Sequence, residues 1–144
     1  MNKPANPVET NDNLQEQAMQ RSNTDNAPRS VIHQTLYSAD TFVQHDYLAG
    51  KALPDIARPQ EGQINWLHFV GINDAALLKH ALEPYGIHEL VIEDILSRKQ
   101  RPKIEDYGNY VFTAAQVYHY TTTGKLHSDQ VYVIIGKDFV LSFQ

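Results

Sequence analysis

The chain has 144 residues, enough for one domain with a short tail. Its formal net charge of −5 at pH 7 argues against a general nucleic-acid binder, because phosphate affinity needs clustered Lys and Arg. The absence of cysteine excludes disulfides, thiolate metal sites and cysteine nucleophiles. No apolar run approaches the roughly 20 residues that cross a bilayer, and the N-terminus lacks a signal-peptide core, so the sequence predicts a soluble chain.

Residues 1–30 are rich in Asn, Gln, Pro, Ser and Thr. A segment with so few apolar side chains cannot offset its ordering entropy, so we predict a disordered N-terminal tail. The folded domain is predicted to span residues 31–144.

Three strands are predicted in the first half of this domain. In residues 31–38 and 41–48, β-branched and aromatic residues recur with polar residues between them, which predicts two short strands. A Ser-Ala-Asp turn connects them. After a loop over residues 50–62, residues 64–70 are apolar on both alternating faces, which predicts a strand in the middle of a sheet that is covered on two sides.

Two helices are predicted next. Asn73 and Asp74 can cap the N-terminus of a helix that has one apolar stripe. Pro84 and Gly86 are expected to end this helix. A second helix is predicted over residues 88–96. Three strands over residues 110–120, 125–135 and 139–143, joined by Gly-containing turns, predict an antiparallel meander. The fold class is therefore α/β, with a mixed, partly antiparallel sheet and helices packed on it.

Two surface patterns favour ordinary structural roles. A basic cluster sits between acidic neighbours and is interpreted as a solvated loop that can pair with carboxylates: Arg98, Lys99, Arg101 and Lys103. A group of aromatic residues is interpreted as packing of the sheet against helices, because a stacking platform for nucleic acid also needs a positive groove: Tyr107, Tyr110, Phe112, Tyr118 and Tyr120.

Motifs for catalysis are missing from the sequence. The seven histidines show no zinc-like spacing, and His68 is interpreted as a hydrogen-bonded imidazole in the core. No serine lies in a nucleophile elbow, and no glycine-rich loop is placed to cradle a phosphate. We therefore expect no enzymatic activity.

The adjacent carboxylates Glu93 and Asp94, on the second predicted helix, are the candidate metal ligands. Carboxylates are hard oxygen ligands that suit Mg²⁺ or Ca²⁺, but two of them form only half a cage. Successive helical residues diverge by about 100°, so the pair would share a hydrated ion at most. Mg²⁺ tolerates this, because it keeps much of its water. The alternative is that both are solvated helix surface.

From about Val31 to Gln144 the chain resembles the N-terminal cytoplasmic domain of the CorA family of magnesium and cobalt channels. The blocks that carry the resemblance are Trp66-Leu-His-Phe-Val-Gly71, Tyr85-Gly-Ile-His88, Ile92-Glu-Asp-Ile-Leu96, Gln100-Arg-Pro-Lys-Ile104, Tyr110-Val-Phe112 and the segment from Gln130 to Gln144. Two of these blocks, Glu-Asp-Ile-Leu and Gln-Arg-Pro-Lys, are together improbable by chance.

This resemblance implies an αβα sandwich, and a regulatory domain at the cytoplasmic face of the inner membrane in a homopentamer. It also implies regulatory Mg²⁺ or Co²⁺ sites between adjacent subunits, with a partner carboxylate on the long helix that follows this domain. By its position in the family's motif, Asp94 is the stronger match to a ligand of such a site and Glu93 the weaker match. The sequence contains neither the family's membrane helices nor its Gly-Met-Asn signature, so we interpret it as part of a longer membrane protein.

Two alternatives stay open. The related zinc-transporting branch is expected to share this fold, and a soluble interaction module without bound metal would leave Glu93 and Asp94 as helix surface. The family forms pentamers, but its membrane helices and stalk supply much of the contact. We therefore expect the isolated chain, whose negative charge also opposes self-association, to be monomeric or weakly associating.

Overall fold

The computed structural model describes residues 30–49, 55–71 and 74–144. The predicted tail lies outside these residues apart from Ser30, which begins the first strand. The strands are β1 (Ser30–Tyr37), β2 (Phe42–Ala49), β3 (Ile64–Val70), β4 (Lys103–Asp106), β5 (Tyr110–Tyr120), β6 (Leu126–Gly136) and β7 (Phe139–Phe143). The helices are α1 (Ala75–Leu82), which continues into a 3-10 turn (Glu83–Tyr85), and α2 (Glu89–Ser97).

All seven strands form one mixed sheet in the order β2-β1-β3-β7-β6-β5-β4. The pairing of β3 with β7 is parallel, and each other neighbouring pair is antiparallel. The predicted α/β class with a mixed, partly antiparallel sheet is confirmed. The interior position of β3 and the meander of β5, β6 and β7 are confirmed as well. The predicted cover on both faces of β3 is not seen in the described residues, because Trp66 on its second face is 43% exposed.

The core lies between one face of the sheet and the two helices. Side chains alternate along each strand, so every second residue points towards the helices. The buried core is formed by sheet residues Ile32, Leu67, Phe69, Phe112, Ile134 and Leu141 together with helix residues Leu78, Leu82, Val91, Ile92 and Ile95. Burial of this single stripe on each helix fixes how α1 and α2 are rotated against the sheet.

Local chemistry sets the ends of both helices. The Asp74 carboxylate accepts hydrogen bonds from the backbone N–H groups of Ala76 (2.8 Å) and Leu77 (3.1 Å), which confirms Asp74 as the N-cap of α1. Gly86, with φ of 62°, supplies the left-handed turn that separates the helices. The Nδ1 atom of His88 accepts from the Leu90 N–H at the start of α2.

The opposite face of the sheet is more open. Trp66 on β3 is 43% exposed there, and Ile135 on β6 is 52% exposed. At the centre of this face Ser142 Oγ accepts a hydrogen bond from Trp66 Nε1 (2.9 Å) and lies 2.8 Å from His68 Nδ1. The predicted hydrogen bonding of His68 is confirmed, but its ring is half-buried on this face and is not part of the core.

We expect His68 to make the fold less stable in acid. Burial, and then the charge of His33 stacked 6.0 Å away, lower the pKa of His68 below its usual value of about 6.5. At a pH between the lowered pKa of the folded state and the usual pKa of the unfolded state, the unfolded chain binds more protons. The contribution of His68 to the free energy of unfolding is therefore fully present above about pH 6.5 and is lost as the pH falls through the lowered pKa.

Urea unfolding of the parent and of His68→Gln across this pH range tests the expectation. The groups facing His68 are His33, Ser142 and, beyond His33, Asp46, whose Oδ1 lies 2.7 Å from His33 Nδ1. The glutamine variant keeps a polar side chain beside Ser142 and is expected to lose part of the acid sensitivity. An unchanged pH profile in the variant would assign that sensitivity to other groups.

Two sequence interpretations are wrong in part. Lys103 does not lie in a solvated loop but begins β4, a short edge strand that pairs with residues 111–114 of β5. Tyr118 and Tyr120 do not pack against the helices; they are 61% and 75% exposed, because β5 and β6 extend as a hairpin beyond the core. Of the predicted aromatic group, Tyr110 and Phe112 are buried.

Candidate functional site

Helix α2 presents Glu93 and Asp94 in different directions. Because Val91, Ile92 and Ile95 are buried against the sheet, Glu93 is left exposed, while Asp94 turns towards β4 with its side chain 22% exposed. The divergence expected of neighbouring helical residues is therefore present. Asp94 is the carboxylate held in a defined position.

Both carboxylate oxygens of Asp94 accept hydrogen bonds. Lys103 Nζ lies 2.7 Å from Oδ2, and Gln100 Nε2 donates to Oδ1, also at 2.7 Å. These distances are typical of charge-assisted and strong neutral hydrogen bonds. No sequence pattern identified Lys103 and Gln100 as partners of Asp94, although both belong to the Gln-Arg-Pro-Lys block.

Lys103 connects the helix to the edge of the sheet. Its Nζ also lies 3.0 Å from Glu105 Oε2 and 5.4 Å from the centre of the Phe112 ring. Hydrogen bonding to Asp94, followed by that to Glu105, raises the pKa of Lys103, so the ammonium stays charged at neutral pH. Tyr107 donates to the same Glu105 oxygen at 3.2 Å, and burial together with the Glu105 charge raises the pKa of Tyr107.

Gln100 is fixed from the other side by β6. Its backbone N–H donates to Gln130 Oε1 (3.1 Å), and Gln130 Nε2 donates back to the Gln100 carbonyl. The chain reaches Gln100 after Arg98, which takes the left-handed conformation (φ of 50°) at the end of α2. This turn brings residues six and nine positions beyond Asp94 back to its carboxylate.

A cavity of about 330 Å³ lies beside the end of α2, between the helix and the sheet, and its lining includes Ile95, Arg98, Tyr132 and Gln144. The hydroxyl of Tyr132 is buried and has no hydrogen-bond partner within the described ranges. Burial, and then the nearby Asp94 charge, raise the pKa of Tyr132. Asp94 therefore lies close enough to Tyr132 to disfavour ionisation of its hydroxyl, while Arg98 acts in the opposite direction.

The chemistry of the Asp94 site is that of an oriented, partly neutralised carboxylate. Asp94 and Glu105 bring two carboxylates to the single ammonium of Lys103, so the contacts retain negative charge. Residues 30–49, 55–71 and 74–144 contain no group of three or more His, Asp or Glu side chains arranged to hold a metal ion. Among these residues, no third ligand-type side chain joins Asp94 and Glu93 in an arrangement that could hold an ion.

Solved structures of other proteins share this fold. The chain is similar to the soluble domain of CorA from Methanocaldococcus jannaschii (TM-score 0.56, 10% identity, 78% of this chain and 39% of that one). It is also similar to the full-length CmaX protein (TM-score 0.53, 14% identity, 80% of this chain and 35% of that one). At these identities the likeness shows the fold.

The family is shown by the sequence itself. Residues 61–144 match the model of the CorA-like Mg²⁺ transporter protein family, and the chain belongs to that family. It is 41% identical over 80 residues to the cobalt/magnesium transport protein CorA of Thermotoga maritima, and 34% identical over 80 residues to the putative metal ion transporter YfjQ of Bacillus subtilis. These stretches cover 55% and 54% of this chain and 23% of each relative.

The chain thus spans about a quarter of the length of these relatives, and the resemblance inferred from its motifs is confirmed. Neither α1 nor α2 is long and apolar enough to cross a membrane, and no other helix in the described part of the chain is.

Proposed function

We propose that this chain is the cytoplasmic regulatory domain of a longer channel that carries Mg²⁺ and Co²⁺ across the inner membrane. Membership of a magnesium-transporter family and similarity to a protein named for cobalt and magnesium transport support this function. The observation that carries the proposal is the orientation of Asp94 on α2, within the matched residues, by two donors at 2.7 Å.

In this proposal Asp94, assisted by exposed Glu93, supplies half of a divalent-cation site. The other half is a carboxylate from an adjacent subunit of a homopentamer. Empty, the facing carboxylates repel each other; a hydrated Mg²⁺ or Co²⁺ between them removes that repulsion and favours the closed assembly. Loss of the ion when cytoplasmic Mg²⁺ is low releases the closed state, and several equivalent sites multiply the modest coupling of each.

Lys103 sets the threshold of this response. In the single domain its ammonium neutralises Asp94, so the carboxylate is not left half-buried without a partner. An incoming cation competes with that ammonium, and the site then fills only at high cation concentration. Weak binding is the property that a sensor of millimolar Mg²⁺ requires.

One observation favours a second function, that of an interaction module without metal. Lys103 and Gln100 already satisfy both oxygens of Asp94, so the fold itself requires no cation. Removal of the Asp94 carboxylate from the full-length protein distinguishes the two functions.

The transport function is tested on the coding sequence and on the protein that it encodes. The sequence after Gln144 should encode a long helix, two membrane spans and a Gly-Met-Asn signature. In liposomes the full-length protein should then take up Mg²⁺ and Co²⁺. Uptake of Zn²⁺ alone would place it in the zinc-transporting branch, and absence of the membrane spans would contradict the proposal.

A further inference from the structure

Strand β2 forms one end of the sheet, and its outer edge meets no other strand in the described part of the chain. All eight of its residues pair with β1 on the inner side. Its sequence, Phe42-Val-Gln-His-Asp-Tyr-Leu-Ala49, contains no Pro, Lys or Arg. An edge of this kind offers a row of backbone N–H and C=O groups to a further strand.

The opposite end of the sheet is protected in a way that β2 is not. Strand β4 has only four residues, and three of them are charged: Lys103, Glu105 and Asp106. Short length and charge are devices by which natural sheets prevent pairing at an edge. Strand β2 is twice as long, and its apolar residues Phe42 and Leu48 are 67% and 62% exposed. Its sequence therefore suits pairing with another strand.

The hydrogen bonds of the β1–β2 hairpin determine which backbone groups point outwards. The Ser38 N–H donates to the Thr41 carbonyl at 2.9 Å, so these two residues form a hydrogen-bonded pair. Such pairs alternate with non-hydrogen-bonded pairs along an antiparallel ladder. In the register of β1 and β2, residues 43, 45, 47 and 49 therefore bond to β1. The N–H and C=O groups of residues 42, 44, 46 and 48 point away from β1 and are placed to bond to a further strand.

The order of side-chain types along β2 reads the same in both directions from His45. Two apolar or aromatic residues and one polar residue lie on each side of it: Phe42, Val43 and Gln44 before it, and Asp46, Tyr47 and Leu48 after it. A second, antiparallel β2 with its own His45 opposite this one therefore matches every pair in chemical type. This register also sets residue 42 opposite 48 and residue 44 opposite 46, so the outward backbone groups meet each other. An interface between two identical copies needs this self-complementarity.

We propose that the outer edge of β2 pairs with β2 of a second copy of this chain, antiparallel and centred on His45, and joins two sheets into one. Phe42 then packs beside the partner's Leu48, and the Gln44 amide donates to the partner's Asp46. Cross-strand pairs of these kinds are the units that stabilise a sheet. Each pair occurs twice, because the two copies are related by a two-fold axis.

The polar side chains of this pairing have bonding capacity left in the single chain. Gln44 Nε2 lies 3.4 Å from Thr35 Oγ1, beyond the usual hydrogen-bond range of about 2.7–3.2 Å. The Asp46 carboxylate contacts His33 through Oδ1, and each carboxylate oxygen can accept more than one bond. Moving the centre by one residue in either direction places Asp46 opposite the partner's Asp46 or the partner's Phe42. The register centred on His45 is therefore the favoured one.

This contact does not depend on the proposed transport function. Strand β2 and the contact of Asp94 with β4 lie at opposite ends of the sheet, so they share no residue. One added pair of strands is a small interface, and each copy carries a net charge of −5. The dimer should therefore be weak and should form only as the concentration rises.

Sedimentation equilibrium of the tag-free chain from about 10 μM to about 1 mM, the range of weak association, tests the proposal. We expect an equilibrium between monomer and dimer. Hydrogen exchange measured by NMR over the same range gives the residue pattern. Exchange of the outward N–H groups of residues 42, 44, 46 and 48 should slow as the concentration rises. The N–H groups of residues 43, 45, 47 and 49, already bonded to β1, should change little.

Two opposite charges at position 44 provide matched variants. Gln44→Lys places an ammonium opposite the partner's Asp46 and should strengthen the dimer, whereas Gln44→Glu places a like charge there and should weaken it. Because each pair occurs twice, each dissociation constant should shift by about 2- to 30-fold, from the typical contribution of a cross-strand charge pair. Gln44 is exposed in the single chain, so both variants should fold.

Gln116→Lys and Gln116→Glu are the controls. Gln116 is also an exposed glutamine on a strand, but β5 lies towards the other end of the sheet. These variants change the net charge by the same amounts and should shift the dissociation constant less. Equal shifts at positions 44 and 116, or assembly into any species other than a dimer, would overturn the proposal. So would a single-chain mass at every concentration; slow exchange of residues 42, 44, 46 and 48 in that monomer would assign the edge to another segment of the same chain.

Discussion

Replacing Phe112 with alanine should lower the free energy of unfolding by about 3–5 kcal/mol, the range for removal of a large aromatic side chain from a packed core. Phe112 is fully buried and stacks on Tyr132 with ring centres 6.1 Å apart. It also lies beneath the Lys103 ammonium. Natural domains are stable by only about 5–15 kcal/mol, so this variant should lose a large share of its total stability.

Urea denaturation followed by circular dichroism measures the change. Val117→Ala on the same strand is the control. Val117 is 46% exposed on the part of the β5–β6 hairpin that extends beyond the core, so loss of its methyl groups should cost less than about 1 kcal/mol. A cost below about 1 kcal/mol for Phe112→Ala, or equal costs for the two variants, would contradict the position of the core beneath α1 and α2.

Replacing Lys103 with methionine should make the full-length protein respond to Mg²⁺ at about a tenfold lower concentration. A divalent ion about 5 Å from an ammonium is repelled by about 1.7 kcal/mol even in the dielectric of water, and about 1.4 kcal/mol corresponds to a tenfold change in affinity. In the parent, the Lys103 ammonium lies 2.7 Å from the Asp94 oxygen that the cation would approach.

The same substitution should lower domain stability by about 1 kcal/mol, the upper end for a pair that retains contact with water. Lys103→Arg is the matched control: it keeps the positive charge beside Asp94 and should leave the Mg²⁺ threshold near that of the parent. Protease protection of the full-length protein during Mg²⁺ titration measures the threshold. A higher threshold in Lys103→Met would show that Lys103 assists the site and does not compete with the cation.

Most of the fold could be predicted because its patterns are local. Six strands and α2 lie within one residue of their predicted bounds. The alternating pattern of a strand and the helical pattern of apolar residues can both be recognised within a short run of consecutive residues. Strand β4 could not be predicted in this way. It has four residues, three of them charged, and it becomes a strand only because β5 offers it an edge.

The candidate site was predictable in part. The helical period correctly separated the directions of Glu93 and Asp94, but it could not identify Lys103 and Gln100 as partners. Their return to Asp94 depends on the left-handed turn at Arg98 and on the two hydrogen bonds exchanged between Gln100 and Gln130, which are 30 residues apart in the chain. The motif block was the only signal in the sequence for this contact.

Titration of full-length Asp94→Ala with Mg²⁺, with protease protection as the readout, tests whether Asp94 senses divalent cations. We expect the concentration for half-protection to rise about tenfold or more, within the range of about 5–150-fold typical of allosteric coupling. Glu89→Ala on the same helix, where the Glu89 side chain is 79% exposed, should match the parent. If a folded Asp94→Ala protein is protected at the same Mg²⁺ concentration as the parent, the sensing role of Asp94 is wrong and the interaction module is the better description.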